Sequence, residues 1–163
     1  RLFADDVAGV RELFLATVSA LRRREVATYD VSSRVRMTKT PAQYLAIRDG
    51  RRELPYEAML ASGRTEWSIG ERVRVYRTAR GPGGVIAAPD ADALPPDDPR
   101  DYDVEHYVRI LREQFATRLA RALTPDDYAA VFADPDQPSL FARSLADARP
   151  LLPPMLLSTA EEA

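Results

Sequence analysis

Apolar residues return at helical spacing early in the chain. Val7, Val10, Leu13, Phe14, Val18 and Leu21 mark one side of a helix over residues ~5–24. Asp5 or Asp6 is placed to cap its start, and Arg22, Arg23 and Arg24 fall in its last turn, where positive charge suits the helix dipole. Over residues ~27–38 the pattern changes to strict alternation. Ala27, Tyr29, Val31, Ser33, Val35 and Met37 face one way, and Thr28, Asp30, Ser32, Arg34, Arg36 and Thr38 face the other. That period predicts a strand with Arg34 and Arg36 side by side on its wet face.

Thr40-Pro41 has the form of a helix cap followed by proline at the first helical position, and predicts a short helix through Ile47 that Asp49-Gly50 ends. Pro55 opens another short helix, stopped by Gly63. Residues ~70–78, Gly-Glu-Arg-Val-Arg-Val-Tyr-Arg-Thr, alternate as a second strand. Gly81-Pro82-Gly83-Gly84 makes a turn, and Val85-Ile86 starts a third short strand. Trp67, just before the second strand, is expected in the core or at a sheet edge. Residues ~87–100, rich in Ala, Asp and Pro, read as a loop. A long helix is expected over ~103–123, with Tyr107, Ile110, Leu111, Phe115 and Leu119 on its apolar side, then a shorter helix from Pro125 and an irregular tail. The expected fold class is α+β, mainly helical, with a small antiparallel sheet in the middle.

Composition changes this picture in one respect. The chain of 163 residues carries a net charge of −2, and no apolar run approaches the ~20 residues of a membrane span. The charge is unevenly spread. Residues 1–88 hold 16 Lys/Arg against 10 Asp/Glu, a balance of +6, and residues 89–163 hold 7 against 15, a balance of −8. A basic half beside an acidic one points to a polyanionic partner for the basic half. There is no cysteine and a single histidine, His106, so disulfides and the usual zinc sites are excluded. A cytoplasmic location is the expectation. The opening Arg1-Leu2-Phe3, without Met, reads as the interior of a longer protein.

Catalytic motifs are missing. No Gly-x-Ser-x-Gly elbow or HExxH helix occurs, and the glycines at 81–84 lack the Lys-Ser/Thr of a phosphate loop. Asp97-Asp98 and Asp126-Asp127 sit where caps and solvated turns are expected rather than metal ligands.

Four stretches, in order, resemble the C-terminal thumb region of family B DNA polymerases, the bacterial polymerase II-like members above all. Arg1-Leu2-Phe3-Ala4-Asp5-Asp6-Val7 with its helix resembles the segment that leaves the palm. Arg36-Met37-Thr38-Lys39-Thr40-Pro41-Ala42-Gln43-Tyr44 is similar to the strand-to-helix step at the start of the thumb. Pro55-Tyr56-Glu57-Ala58-Met59-Leu60-Ala61-Ser62-Gly63 is similar to a short helix that begins Pro-His in the family, with Tyr56 in place of the histidine. Gly70-Glu71-Arg72-Val73-Arg74-Val75-Tyr76, followed by Asp101-Tyr102-Asp103-Val104-Glu105-His106-Tyr107, matches a Gly-led strand, variable loop and Asp-Tyr-x-x-Tyr-type helix start. The resemblance covers about residues 1–123, and the loop at ~79–100 departs from it.

The resemblance implies a thumb domain over residues 1–123 and a helical tail over 124–163. It implies the duplex-gripping part of a DNA-directed DNA polymerase in replication or repair, whose catalytic aspartates and Mg²⁺ belong to a palm upstream. No cofactor is expected in this stretch, and no nucleotidyl transfer by it alone. A duplex held without sequence preference is held by its phosphates. Arg34, Arg36, Lys39, Tyr44, Arg51, Arg52 and Arg64 are the candidate DNA contacts, Lys39 being the only lysine. Gln137-Pro138-Ser139-Leu140-Phe141 resembles the Gln-x-x-Leu-Phe peptide by which bacterial polymerases hold the sliding clamp. Gln137 would fix the peptide by its amide, with Leu140 and Phe141 as apolar anchors. Two other readings compete: a protein-interaction or scaffold module whose basic face is merely solvated, and the thumb of a polymerase homologue without catalysis.

Overall fold

The computed structural model describes residues 6–86, 97–134, 136 and 144–151. Among these the fold is α+β, with six α-helices and one three-stranded antiparallel sheet. The helices are α1 (Val7–Arg22), α2 (Thr28–Val31), α3 (Pro41–Ile47), α4 (Leu54–Ala61), α5 (Val104–Ile110) and α6 (Pro125–Phe132). The strands are β1 (Ser33–Arg36), β2 (Arg72–Tyr76) and β3 (Gly84–Ile86), in the order β1-β2-β3. The backbone forms two compact units, residues 22–107 and residues 1–21 with 108–163. The boundary expected at residue 123 falls inside the second of these.

In the unit of residues 22–107, the expected strand over ~27–38 is shorter. Residues Thr28–Val31 wind into a helical turn, and only Ser33–Arg36 pair in the sheet. Three side-chain-anchored bonds favour that turn over an extended chain. Thr28 gives its backbone N–H to Asp98 at 3.0 Å and its hydroxyl to the same carboxylate, and the Ser32 hydroxyl donates back to the Tyr29 carbonyl at 2.6 Å. β2 and the short β3 stand where the alternation put them. Gly84 is required where the strands meet, because a Cβ there would lie 2.3 Å from the Tyr76 ring.

Helices α3 and α4 follow their sequence signals. Thr40 and Gln43 form a capping box with Pro41 in the first turn. α4 ends at Gly63, whose φ of 81° is the left-handed conformation a terminating residue needs. Both helices contribute to one core of Met37, Tyr44, Tyr56, Ala58, Met59, Trp67, Val73 and Val75. Tyr44 and Tyr56 stack with ring centroids 4.4 Å apart, and Trp67 packs against Tyr56 at 5.6 Å. Trp67 is buried and gives its indole N–H to the Lys39 carbonyl at 2.8 Å, which makes it a core residue. Tyr102 is wholly buried and bonds the Val26 carbonyl at 3.0 Å, while the Tyr76 hydroxyl donates to Asp101 at 2.8 Å. The Asp-Tyr stretch of the resemblance thus fastens residues 101–107 to the sheet.

In the other unit, Asp6 caps α1 by accepting from the Gly9 N–H at 2.8 Å. Val7, Phe14, Val18 and Leu21 are buried, whereas Leu13, expected in the same stripe, is exposed. Phe14 meets Phe132 of α6 edge-on at 5.4 Å. Arg11 donates to the carbonyls of Val131, at 2.9 Å, and Ala133, placing a cation at the C-terminal end of α6. The long regular helix expected over ~103–123 is a correction. After α5 the chain widens to a π-helix over Leu111–Phe115 and then tightens to a 3₁₀-helix over Ala116–Ala122. A π turn takes up an extra residue and rotates everything after it. Before the turn Val108 is the buried position; after it Ala116 and Leu123 are, while Phe115, expected inside, is exposed.

Candidate nucleic-acid interface

The sheet has two unlike faces. In the β1–β2 register Val35 stands opposite Val73 and Ser33 opposite Val75, and in the β2–β3 register Val75 stands opposite Val85. These valines belong to the core with α4. The intervening positions pair Arg34 with Arg74 and Arg36 with Arg72. Four arginines therefore share the opposite face, directly across from one another, where like charges repel.

Arg74 is fixed. Its guanidinium lies 3.8 Å from the centroid of the Tyr29 ring and donates to the Ser32 hydroxyl at 2.9 Å. Arg34, Arg36 and Arg72 are exposed, and among the described residues none of the three pairs with a carboxylate. The Arg36 guanidinium reaches over the turn before β2, 3.4 Å from where a Cβ of Gly70 would sit. Arg34 and Arg36, two residues apart on one strand, emerge about 7 Å from each other.

The remaining candidates from the sequence divide four ways. Lys39 is neutralised: its ammonium sits 3.0 and 3.1 Å from the two Glu53 carboxylate oxygens, with the Tyr56 ring beneath it at 5.4 Å. Arg64 is paired with Glu71. Arg51 and Arg52 are exposed after α3, away from the paired strands in sequence. Tyr44 is a correction. It is completely buried, donates its hydroxyl to Glu57 at 2.6 Å and accepts from the Glu53 N–H at 3.1 Å, so it serves the core rather than a surface. Burial and the bond to Glu57 push its pKa upward. Gln137, Leu140 and Phe141 lie outside the described residues.

Arg72 and Arg74 were not singled out from the sequence, although the signal was present. Arg-Val-Arg-Val in β2 has the same period as Arg-Val-Arg in β1. Only the register shows that the two periods fall on one face.

Among the described residues no group of three or more His, Asp or Glu side chains is arranged to hold a metal ion, and no helix is long and apolar enough to cross a membrane. No protein-family model, curated protein or solved structure matches the chain.

Proposed function

We propose that the arginine face of the sheet binds the phosphate backbone of duplex DNA without sequence preference, as the thumb of a family B-type DNA-directed DNA polymerase does. One observation carries this reading: four arginines stand in cross-strand pairs on one face of the sheet, and three of them are exposed and, among the described residues, without a carboxylate partner. Such an arrangement costs the sheet stability through like-charge repulsion, and a polyanion lying across it removes that cost. A duplex suits it better than a single strand. Single-strand platforms stack bases on open aromatic rings, whereas the Tyr29 ring beside this face is covered by Arg74. On the same reading the Gln137–Phe141 peptide would tether the protein to a sliding clamp around that duplex, and phosphoryl transfer would belong to a palm carried elsewhere.

The test is a salt series of duplex binding, read by fluorescence anisotropy, with the chain and with an Arg34→Ala/Arg36→Ala/Arg72→Ala variant. Each phosphate contact contributes about −0.9 to the slope of log K against log salt, so the variant should lose about 2.7 from that slope. Its affinity should fall by the same factor on unrelated sequences. Binding with no salt dependence, or a variant that binds like the parent, would overturn the proposal. Preference for an acidic protein over DNA would favour an interaction module instead.

A further inference from the structure

A second basic site lies within the unit of residues 22–107 and goes beyond the duplex reading. It is an open cleft of about 640 Å³ lined by Arg48, Arg52, Leu54, Glu57, Arg77, Gly81, Pro82 and His106. Leu54 and Glu57 belong to α4, which packs on the valine side of the sheet, so the cleft opens beside that face and not on the arginine quartet. Three guanidinium groups converge here. Glu57 holds Arg48 through two bonds, of 2.7 and 3.0 Å, and Asp103 stands 3.5 Å from Arg77. Arg52 has no carboxylate within pairing distance among the described residues. The lining thus keeps a positive excess, and Arg48 retains N–H groups beyond the two that Glu57 uses.

The rest of the wall is of another kind. Leu54 and Pro82 present apolar surface, and the His106 ring adds a flat one. Forked donors match phosphate oxygens, and a small apolar wall with a flat ring suits the face of a base. The volume falls in the range of small-ligand sites. We propose that this cleft binds a nucleoside monophosphate, the phosphate between Arg52, Arg48 and Arg77 and the base against Pro82, Leu54 and His106.

The experiment is calorimetric titration of the full chain with deoxyadenosine monophosphate, deoxyadenosine and inorganic phosphate. The monophosphate should bind in the millimolar range or tighter, and both deoxyadenosine and inorganic phosphate at least about tenfold more weakly. Arg52→Glu, at an exposed position, should weaken the monophosphate about tenfold with an unchanged circular dichroism spectrum. Arg34→Ala/Arg36→Ala should leave its binding unchanged, which separates this site from the duplex face. No binding of the monophosphate, equal binding of deoxyadenosine or of inorganic phosphate, or an Arg52→Glu chain that binds normally would each overturn the proposal.

Discussion

The two faces of the sheet are made from the same strands and obey opposite rules. On one, Val35, Val73, Val75 and Val85 belong to the core of Tyr56, Met59 and Trp67, where the Tyr56 hydroxyl accepts from the Thr38 N–H and the Trp67 indole N–H donates to the Lys39 carbonyl. On the other, Arg34 faces Arg74 and Arg36 faces Arg72, with repulsion left in place. A protein selected for stability alone would alternate charges across the strands, as opposite-charge pairs there contribute a few tenths of a kcal/mol to about 1 kcal/mol. Elsewhere in the same unit such pairing does occur, at Lys39–Glu53, Arg48–Glu57 and Arg64–Glu71. Among the described residues Arg34, Arg36 and Arg72 have no carboxylate partner, and on that feature the proposal of an outside partner rests.

The comparison is broken most severely from the valine side. Val75 is buried at the centre of the middle strand, so Val75→Asp places a charge in the core and should cost about 4 kcal/mol or more, abolishing a cooperative transition in urea. The same incoming residue one position away, Arg74→Asp, puts a carboxylate on the opposite face, beside Arg34, Arg36 and Arg72. It should cost far less, chiefly the stacking on Tyr29. Equal destabilisation by the two would show that the faces do not differ as described.

A second, smaller effect concerns the charge that the core side does contain. Glu57 is buried, and its bonds to Arg48 and Tyr44 hold its carboxyl at about 2, against an ordinary 4.5. A carboxyl with a lowered pKa in the folded protein stabilises it fully above the unfolded value and loses that contribution as pH falls through the folded one. Stability should therefore decline as pH drops from about 4.5 toward about 2. Glu57→Gln should cost about 2 kcal/mol at neutral pH, because Arg48 and the Tyr44 hydroxyl lose a charged acceptor, and should flatten that acid decline. Arg48 is 38 % exposed, and water takes part of the load. Thermal melts across the acid range decide it: an unchanged decline in the variant would assign it to other carboxylates.

Much of the architecture was legible because its signals are local. The Thr40-Pro41 cap, the Gly63 stop and the Arg-Val alternation of β2 each act over a few residues, and each stands where it was read. What failed depended on distant partners. The alternation at 27–32 is real, but Asp98, some 70 positions away, supplies acceptors that favour a helical turn at Thr28. The apolar stripe at 107–119 assumed a constant helical period, and the π turn at Leu111–Phe115 shifted it. The arginine face was half visible. Arg34 and Arg36 follow from one strand's period, whereas Arg72 and Arg74 join them only through a register that no local pattern encodes. The ion pair of Lys39 and the burial of Tyr44 likewise involve Glu53 and Glu57, which lie 14 and 13 positions on.

The finest test changes stability least and asks the most of the comparison. Arg36→Thr removes one member of the Arg36–Arg72 pair and places a good strand former on an exposed edge strand. If the arginine face is held for a partner at the expense of the fold, the variant should be more stable, by about 0.5 kcal/mol at low salt. The gain should shrink toward zero at high salt, because exposed charges are screened over about 3 Å at 1 M. The same variant should bind duplex DNA more weakly and lose about 0.9 from the slope of log K against log salt. The two readouts therefore move in opposite directions, which a residue serving only the fold would not produce. The Arg36 side chain also lies over the Gly70 turn, and loss of that packing works against the gain. Denaturant melts at two salt concentrations separate the parts, since packing does not fade with salt and repulsion does. A variant less stable than its parent at both concentrations would make Arg36 a structural residue, and the face would lose its strongest claim to a partner.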